Sequence, residues 1–154
     1  MTSSLELLNA ANIQYIRNPA QLVVAQSSPQ ALASGSLVAI TWPSPSIDNY
    51  SGWSAGTPTR YTPKVAGTYL VIGSIVLVTN VTGGRIAQLS KNGTAAYQSG
   101  SGNPGAFNAA MQAIGTMSFN GTTDYVELYG DQNSGSSLNT VITLTNLTAT
   151  WIHS

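Results

Sequence analysis

The alternation of apolar and polar positions divides the chain into short strands separated by turns. The longest apolar run, Thr68 to Val78, is apolar at both odd and even positions. A strand with one wet face alternates cleanly, so a run apolar on both faces predicts burial on both sides. Leu37-Val38-Ala39-Ile40-Thr41-Trp42 predicts an earlier strand, stopped by Pro43 and Pro45. Gly83-Gly84 turns the chain into Arg85-Ile86-Ala87-Gln88-Leu89, and Asn92-Gly93 is a strong hairpin signal. Ala109 to Phe119 and Tyr125 to Tyr129 are expected to pair as strands around the turn Asn120-Gly121. The stretches Gly100–Gly105 and Gly130–Ser137 read as loops. Val141 to Ile152 closes the pattern with a strand rich in β-branched residues. About eight strands and no convincing helix after residue 36 predict an all-β sandwich or jelly roll.

The first third is different. Ser3-Ser4-Leu5-Glu6 has the spacing of a helix capping box, and Asn18-Pro19 ends any such helix early. Leu22-Val23-Val24-Ala25 predicts a brief strand, and Ser27 to Gln30 a loop. A segment this small cannot hold a core of its own. Residues 1–33 are therefore expected to be an arm or outer flap, with Leu5, Leu8, Ile13, Tyr15 and Ile16 as its contact residues. The other reading is an extra edge strand of the main domain, residues 34–154.

Composition sharpens this picture. Only 6% of the 154 residues are charged, the formal net charge is +0 and there is no cysteine. An ordinary soluble domain is about a quarter charged. With no basic stripe, nucleic-acid binding is not expected. With little charge repulsion between copies, the composition suits a subunit of a larger assembly. No apolar run approaches the ~20 residues of a membrane span, so no membrane partner is expected. Residues 1–16 lack the basic flank and apolar core of a secretion signal. The Asn-x-Ser/Thr triplets at Asn49, Asn80, Asn92, Asn120 and Asn146 read as polar turns rather than glycan sites.

Little in the sequence carries catalytic chemistry. The single histidine, His153, is the penultimate residue, poorly placed to act as a base for a nucleophile. Asp124 and Glu127 are three apart on a strand, so they point to opposite faces and do not form a hydrolytic carboxylate pair. Asp131-Gln132-Asn133-Ser134-Gly135 offers oxygen ligands but only one carboxylate, so an Asx-stabilised turn is preferred to a calcium loop. No cofactor is expected. Trp42, Tyr50, Trp53, Tyr97 and Phe107 could line a sugar-binding surface. Packing is preferred for Trp42, and Tyr50 and Trp53 stay open.

Four segments, in order, resemble a known family. Tyr61-Thr62-Pro63-Lys64-Val65-Ala66-Gly67-Thr68-Tyr69-Leu70 is similar to the segment by which tumour necrosis factor and complement globular-head jelly rolls enter a long core strand. Leu89-Ser90-Lys91-Asn92-Gly93 resembles a strand of that family ending in an Asn-Gly turn. Thr123-Asp124-Tyr125-Val126-Glu127-Leu128 resembles its Gly-Asp-x-Val-x-Leu strand, with Thr123 in place of the glycine. Leu147 to Ile152 sits where the family ends on an aromatic and aliphatic strand near a threefold axis. The resemblance spans roughly residues 37–152, and no collagen-like repeat precedes it.

That resemblance implies a ten-stranded jelly roll assembling as a homotrimer, with Tyr69, Val71, Met111, Tyr125 and Trp151 expected at the trimer interface. Such domains also occur in bacteriophage particles as head-decorating and fibre-tip modules. The low charge, absent cysteine and Ser/Thr/Gly-rich loops look like those versions. Two functions follow as expectations. One is a capsid decoration protein on the outer surface of the virion, partnered with the major capsid protein through the arm. The other is a receptor-binding tip of the tail. A fibre needs a shaft, and no heptad, collagen or β-helix period is present, which favours the lattice site.

Overall fold

The computed structural model describes residues 18–101, 105 and 107–154. The proposed helix at Ser3–Glu6 and the arm residues Leu5, Leu8, Ile13, Tyr15 and Ile16 lie outside the described residues. Within them the chain forms twelve strands: β1 (Gln21–Ala25), β2 (Ala31–Leu32), β3 (Val38–Ala39), β4 (Ile47–Asp48), β5 (Arg60–Tyr61), β6 (Gly67–Leu77), β7 (Arg85–Lys91), β8 (Thr94–Ser101), β9 (Ala109–Phe119), β10 (Val126–Gln132), β11 (Leu138–Asn139) and β12 (Asn146–His153). Two five-stranded sheets stack as a sandwich. The first has the order β4-β1-β12-β6-β9; the second has β3-β10-β7-β8, with β5 also on β10. A short β11-β2 ladder stands apart. Every pairing is antiparallel.

The core follows from the two-residue period of the strands. Tyr69, Val71, Ile75 and Leu77 on β6 point inward, as do Leu22 and Val24 on β1, Leu147 and Ala149 on β12, and Met111, Ala113 and Met117 on β9. The second sheet answers with Ala87, Leu89, Val126 and Leu128. The sheets approach closely where β6 carries no side chain: a Cβ on Gly73 would lie 2.5 Å from Leu128 Cδ1 and 3.1 Å from Leu89 Cδ2. Tyr97 closes the side of the sandwich between β8 and β9, its ring over Gly115 and its hydroxyl donating to Thr116 O at 2.7 Å.

Local signals were read correctly where the partner is the next strand. Asn92 (φ 52°) and Gly93 (φ 79°) make the tight turn between β7 and β8, with the left-handed backbone such a turn demands. The pairing expected at Asn120-Gly121 is corrected. β9 pairs along its whole length with β6, and β10 pairs with β7 in the other sheet. The turn carries the chain between layers, pinned by Asn120 Oδ1, which accepts from the N–H groups of Thr122, Thr123 and Asp124.

The boundary at residue 33 also moves. Ala20, Leu22, Val24 and Leu32 are buried, and β1 lies between β12 and β4, so residues 20–32 belong to the sandwich. The strand expected over 37–42 shortens to β3. The Gln30 side chain takes the place of a neighbouring strand there, accepting from Thr41 N at 2.8 Å and donating to Ala39 O at 2.8 Å. The closing strand begins later than expected, at Asn146, after a loop in which Thr143 has φ 63°. β8 extends to Ser101, into the stretch expected to be loop.

Gly73 is the sharpest test of this packing. Gly73→Val should cost about 1–3 kcal/mol by overpacking against Leu128 and Leu89. A melting curve should fall by several degrees, since roughly 2–4 °C accompanies each kcal/mol in a domain of this size. Gly56→Ala, whose added Cβ meets nothing nearer than Ser54 Oγ at 3.6 Å, should leave it almost unmoved.

Candidate functional site

The predicted interface residues mostly belong to the core. Tyr69 and Val71 are fully buried, Met111 and Trp151 are nearly so, and all four point between the sheets. The Tyr69 hydroxyl donates to Val65 O at 2.8 Å and the Trp151 indole to Ala66 O at 3.1 Å. Such side chains have no surface to offer a partner. Tyr125 is half-buried, with the Arg60 guanidinium 4.1 Å from its ring centroid. The run 68–78 is apolar on both faces, but the burial expected on both sides is not seen in the protomer: its even-numbered residues turn outward, and Leu70 is 37% exposed.

Those residues define the first sheet's outer face. Strand register aligns Ile47, Val23, Thr148, Ile72 and Ile114 in one row across all five strands. A second row runs Gln21, Thr150, Leu70 and Thr116, and a third Ala25, Asn146, Ser74 and Gln112. None of these positions is charged. Ile114 is 49% exposed, Ile47 42% and Leu70 37%. Aliphatic groups set among hydroxyls and amides can be covered without desolvating a charge, the costliest part of burying a protein surface.

The second sheet holds the charged chemistry. Glu127 is buried on β10, and both of its oxygens are engaged. Oε1 accepts from Thr59 Oγ1 at 2.6 Å and Arg60 Nε at 3.3 Å, and Oε2 accepts from the Tyr129 hydroxyl at 2.9 Å. Burial, together with the Glu127 carboxylate, raises the Tyr129 phenol above its ordinary pKa. Asp124 belongs to a separate group at the Asn92 and Asn120 turns, with Lys91 Nζ at 3.2 Å and Asn92 Nδ2 donating at 2.8 Å. The two carboxylates thus hold different structural networks. His153 is exposed, beside its own C-terminal neighbour. Among the described residues no group of three His, Cys, Asp or Glu side chains gathers as metal ligands would, and no helix is long and apolar enough to cross a membrane.

The remaining candidates separate by environment. Gln132 Oε1 accepts from Ser134 N and Oγ, which makes the 131–135 segment a hydrogen-bonded turn. Trp42 is buried. Trp53 is half-buried, donating to Pro58 O at 3.3 Å, and Tyr50 donates to Asn18 O at 3.2 Å. Phe107 stands 80% exposed. The aromatic set is therefore dispersed rather than arrayed on one platform. The sequence reading missed a cavity of about 350 Å³ at the end of the second sheet, lined by residues of β7, β8 and β10. Cross-strand register, which sets its walls, is not visible along the chain.

No family model and no curated protein matches the sequence. Solved structures do match the fold. Murine APRIL at pH 8.0 aligns over 88% of this chain and 100% of its own, at 13% identity and a TM-score of 0.68. The globular domain of zebrafish complement 1qA aligns over 86% and 97%, at 12% identity and 0.62. Eiger TNF from S. frugiperda aligns over 88% and 94%, at 9% identity and 0.61. At these identities the likeness is one of fold: the chain is a jelly-roll sandwich of the tumour necrosis factor and complement globular-head type.

The Asp124 group should govern the acid limb of stability. Hydrogen bonding from Asn92, aided by Lys91, holds its carboxyl below the usual carboxylate range. A folded-state pKa below the unfolded one contributes stability that is present above about pH 4 and lost as pH falls through the lower folded value. Asp124→Asn should therefore lower the melting temperature at neutral pH, and the difference from the unmodified chain should shrink steadily below about pH 4. Parallel melting curves across that range check it.

Proposed function

We propose that this chain is a non-enzymatic structural subunit of a bacteriophage particle. It forms a homotrimer, sits as a decoration protein on the outer surface of the capsid, and partners the major capsid protein without a cofactor. The observation that carries the reading is the uncharged outer face of the β4-β1-β12-β6-β9 sheet, crossed by the row Ile47, Val23, Thr148, Ile72 and Ile114. A face of this composition suits another copy of a chain whose own net charge is +0, because packing and apolar burial hold it without paired charges. The jelly-roll resemblance, which implies a trimer, supports the same arrangement. Assignment to a phage particle rests on the charge-poor, cysteine-free, hydroxyl-rich composition.

A second reading, a receptor-binding tip on the tail, is favoured by one observation. Phe107, Val81 and Leu144 are 80%, 58% and 53% exposed, on loops at the end of the sandwich where Leu77 meets Ala109 and Thr140. That end lies opposite the start of β1, where an attached arm would enter.

Co-sedimentation with purified heads and tails of the particle encoded alongside the chain tests both. The unmodified protein should pellet with heads lacking it, with little change between low and moderate salt. Ile72→Arg places a charge in the middle of the proposed interface. By removing multivalent attachment it should cut retention at least ~100-fold. Pelleting with tails alone would establish the second reading, and pelleting with neither would overturn the particle assignment.

A further inference from the structure

The two ends of the sandwich differ in charge. Asp48, Arg60, Lys64, Lys91, Asp124 and Glu127 lie toward the end where β1, β6 and β10 start. At the other end, Leu77 lies opposite Ala109 and Thr140, and Val141 N donates to Val76 O at 2.7 Å. The described loop residues there, 78–84, 107–108 and 133–145, carry no charged side chain. The nearest charged groups are Arg85, which is 1% exposed, and the half-buried Asp131. Apolar side chains stand out instead: Phe107 is 80% exposed, Val81 58%, Leu144 53%, Ile142 41% and Val78 37%.

Two of these loops are pinned from behind. The Arg85 guanidinium donates to the carbonyls on either side of Val81, Asn80 at 3.1 Å and Thr82 at 2.9 Å, and to Gly84 O at 2.8 Å. Thr82 N donates to Asn80 Oδ1 at 2.8 Å. A chain with 5 Lys and Arg residues thus buries one of them to hold this apex. The 141–145 turn is strained. Thr143 has φ 63°, a left-handed conformation costly for a β-branched residue. It persists because Thr143 N donates to Gln26 O, Thr145 N to Val141 O and Val76 N to Thr145 Oγ1, each at 3.1 Å. Ile142 and Leu144, on either side of the strained residue, are held out in solvent. Strain kept at a surface turn points to a function for what the turn presents.

The arrangement selects the partner. A protein partner packs against walls, yet these side chains stand on separate loops. They line neither the cavity at the end of the second sheet nor the one beside Gln26 and Trp42. A charged partner finds no counter-charge. Val78, Val81, Phe107 and Ile142 are each followed by an exposed hydroxyl or amide residue, Thr79, Thr82, Asn108 and Thr143. Apolar tips with polar neighbours and no charge match the boundary between lipid headgroups and acyl chains. That boundary takes up the tips, and hydrogen-bonds their neighbours, without needing a shaped socket.

We propose that this end inserts its apolar tips into one leaflet of a lipid bilayer without crossing it. The expectation of no membrane partner rested on the length a span requires, and tip insertion requires none. With no basic cluster to attract anionic lipid, neutral lipid should serve equally well. The contact stands apart from both particle readings, and its test uses no particle.

Flotation of the full chain with protein-free vesicles tests it, with phosphatidylcholine alone or with added phosphatidylglycerol, each at low and high salt. The chain should float with both, to the same extent at either salt concentration. Val81→Asp and Leu144→Asp each place a charge on an exposed tip, and each should lower the partition coefficient at least ~10-fold. Ala95→Asp, on an exposed position of β8 toward the charged end, should leave it unchanged. Melting curves and solution mass check that every variant folds. Flotation with neither lipid, flotation with the anionic lipid alone, or flotation undiminished by both tip substitutions would overturn the proposal. So would a solution mass that falls on Leu144→Asp, which would make this end a contact between copies. Binding to cell envelopes but not to vesicles of their extracted lipids would put a protein partner there and overturn it as well.

Discussion

Everything in this molecule depends on the close approach of the two sheets at Gly73, in the middle of the longest core strand. Leu128 and Leu89 from the opposite layer occupy the space a side chain would need. Gly130 plays the same part in the other sheet, where a Cβ would meet Leu32 Cδ2 at 2.5 Å and Ile75 Cδ1 at 3.0 Å. Interlocking of this kind fixes which alternate residues of β6 face inward, because a one-residue slip would turn Tyr69, Val71, Ile75 and Leu77 out to solvent. The neighbouring strands follow through the ladders to β12 and β9.

With that parity set, the two outer faces take different chemistry. The first sheet presents aliphatic and hydroxyl groups in register and no charge. The second carries the Glu127 network toward one end and a cavity at the other. Among the described residues the charged side chains lie on the second sheet and in turns except Asp48, which sits on β4 of the first sheet and accepts from the N–H groups of Gly52 and Trp53, so the three rows of the first sheet's outer face carry no charge. Lys91 and Asp124 stabilise the turns that end β7 and β9. Arg85 organises the loop 80–84 through its carbonyls.

How much of this was legible in the sequence depended on the range of the interaction. The Asn92-Gly93 hairpin is a local signal and was read correctly; the run 68–78 is a long strand as expected, but Leu70 and Ile72 on its outer face are not buried in the protomer. Asn120-Gly121 looks like another hairpin because the same residue pair favours a tight turn. Whether it joins neighbours in one sheet or crosses between two is decided by β6 and β7, far away in the chain. The family resemblance led to Tyr69, Val71, Met111 and Trp151 being expected at a trimer interface, yet parity puts them in the core of the protomer and turns Leu70, Ile72 and Ile114 outward. Gln30 gave no sign that its side chain would stand in for a strand. The cavity was invisible because its walls come from three strands whose register no local pattern reveals.

The central claim is that the uncharged outer face of the first sheet joins copies of this chain. Sedimentation velocity across the micromolar range tests it most directly. A single species of three times the 16.0 kDa protomer mass is expected, unchanged between low and high salt because the joined rows carry no charge. A protomer-mass species that persists through the highest concentration would contradict it.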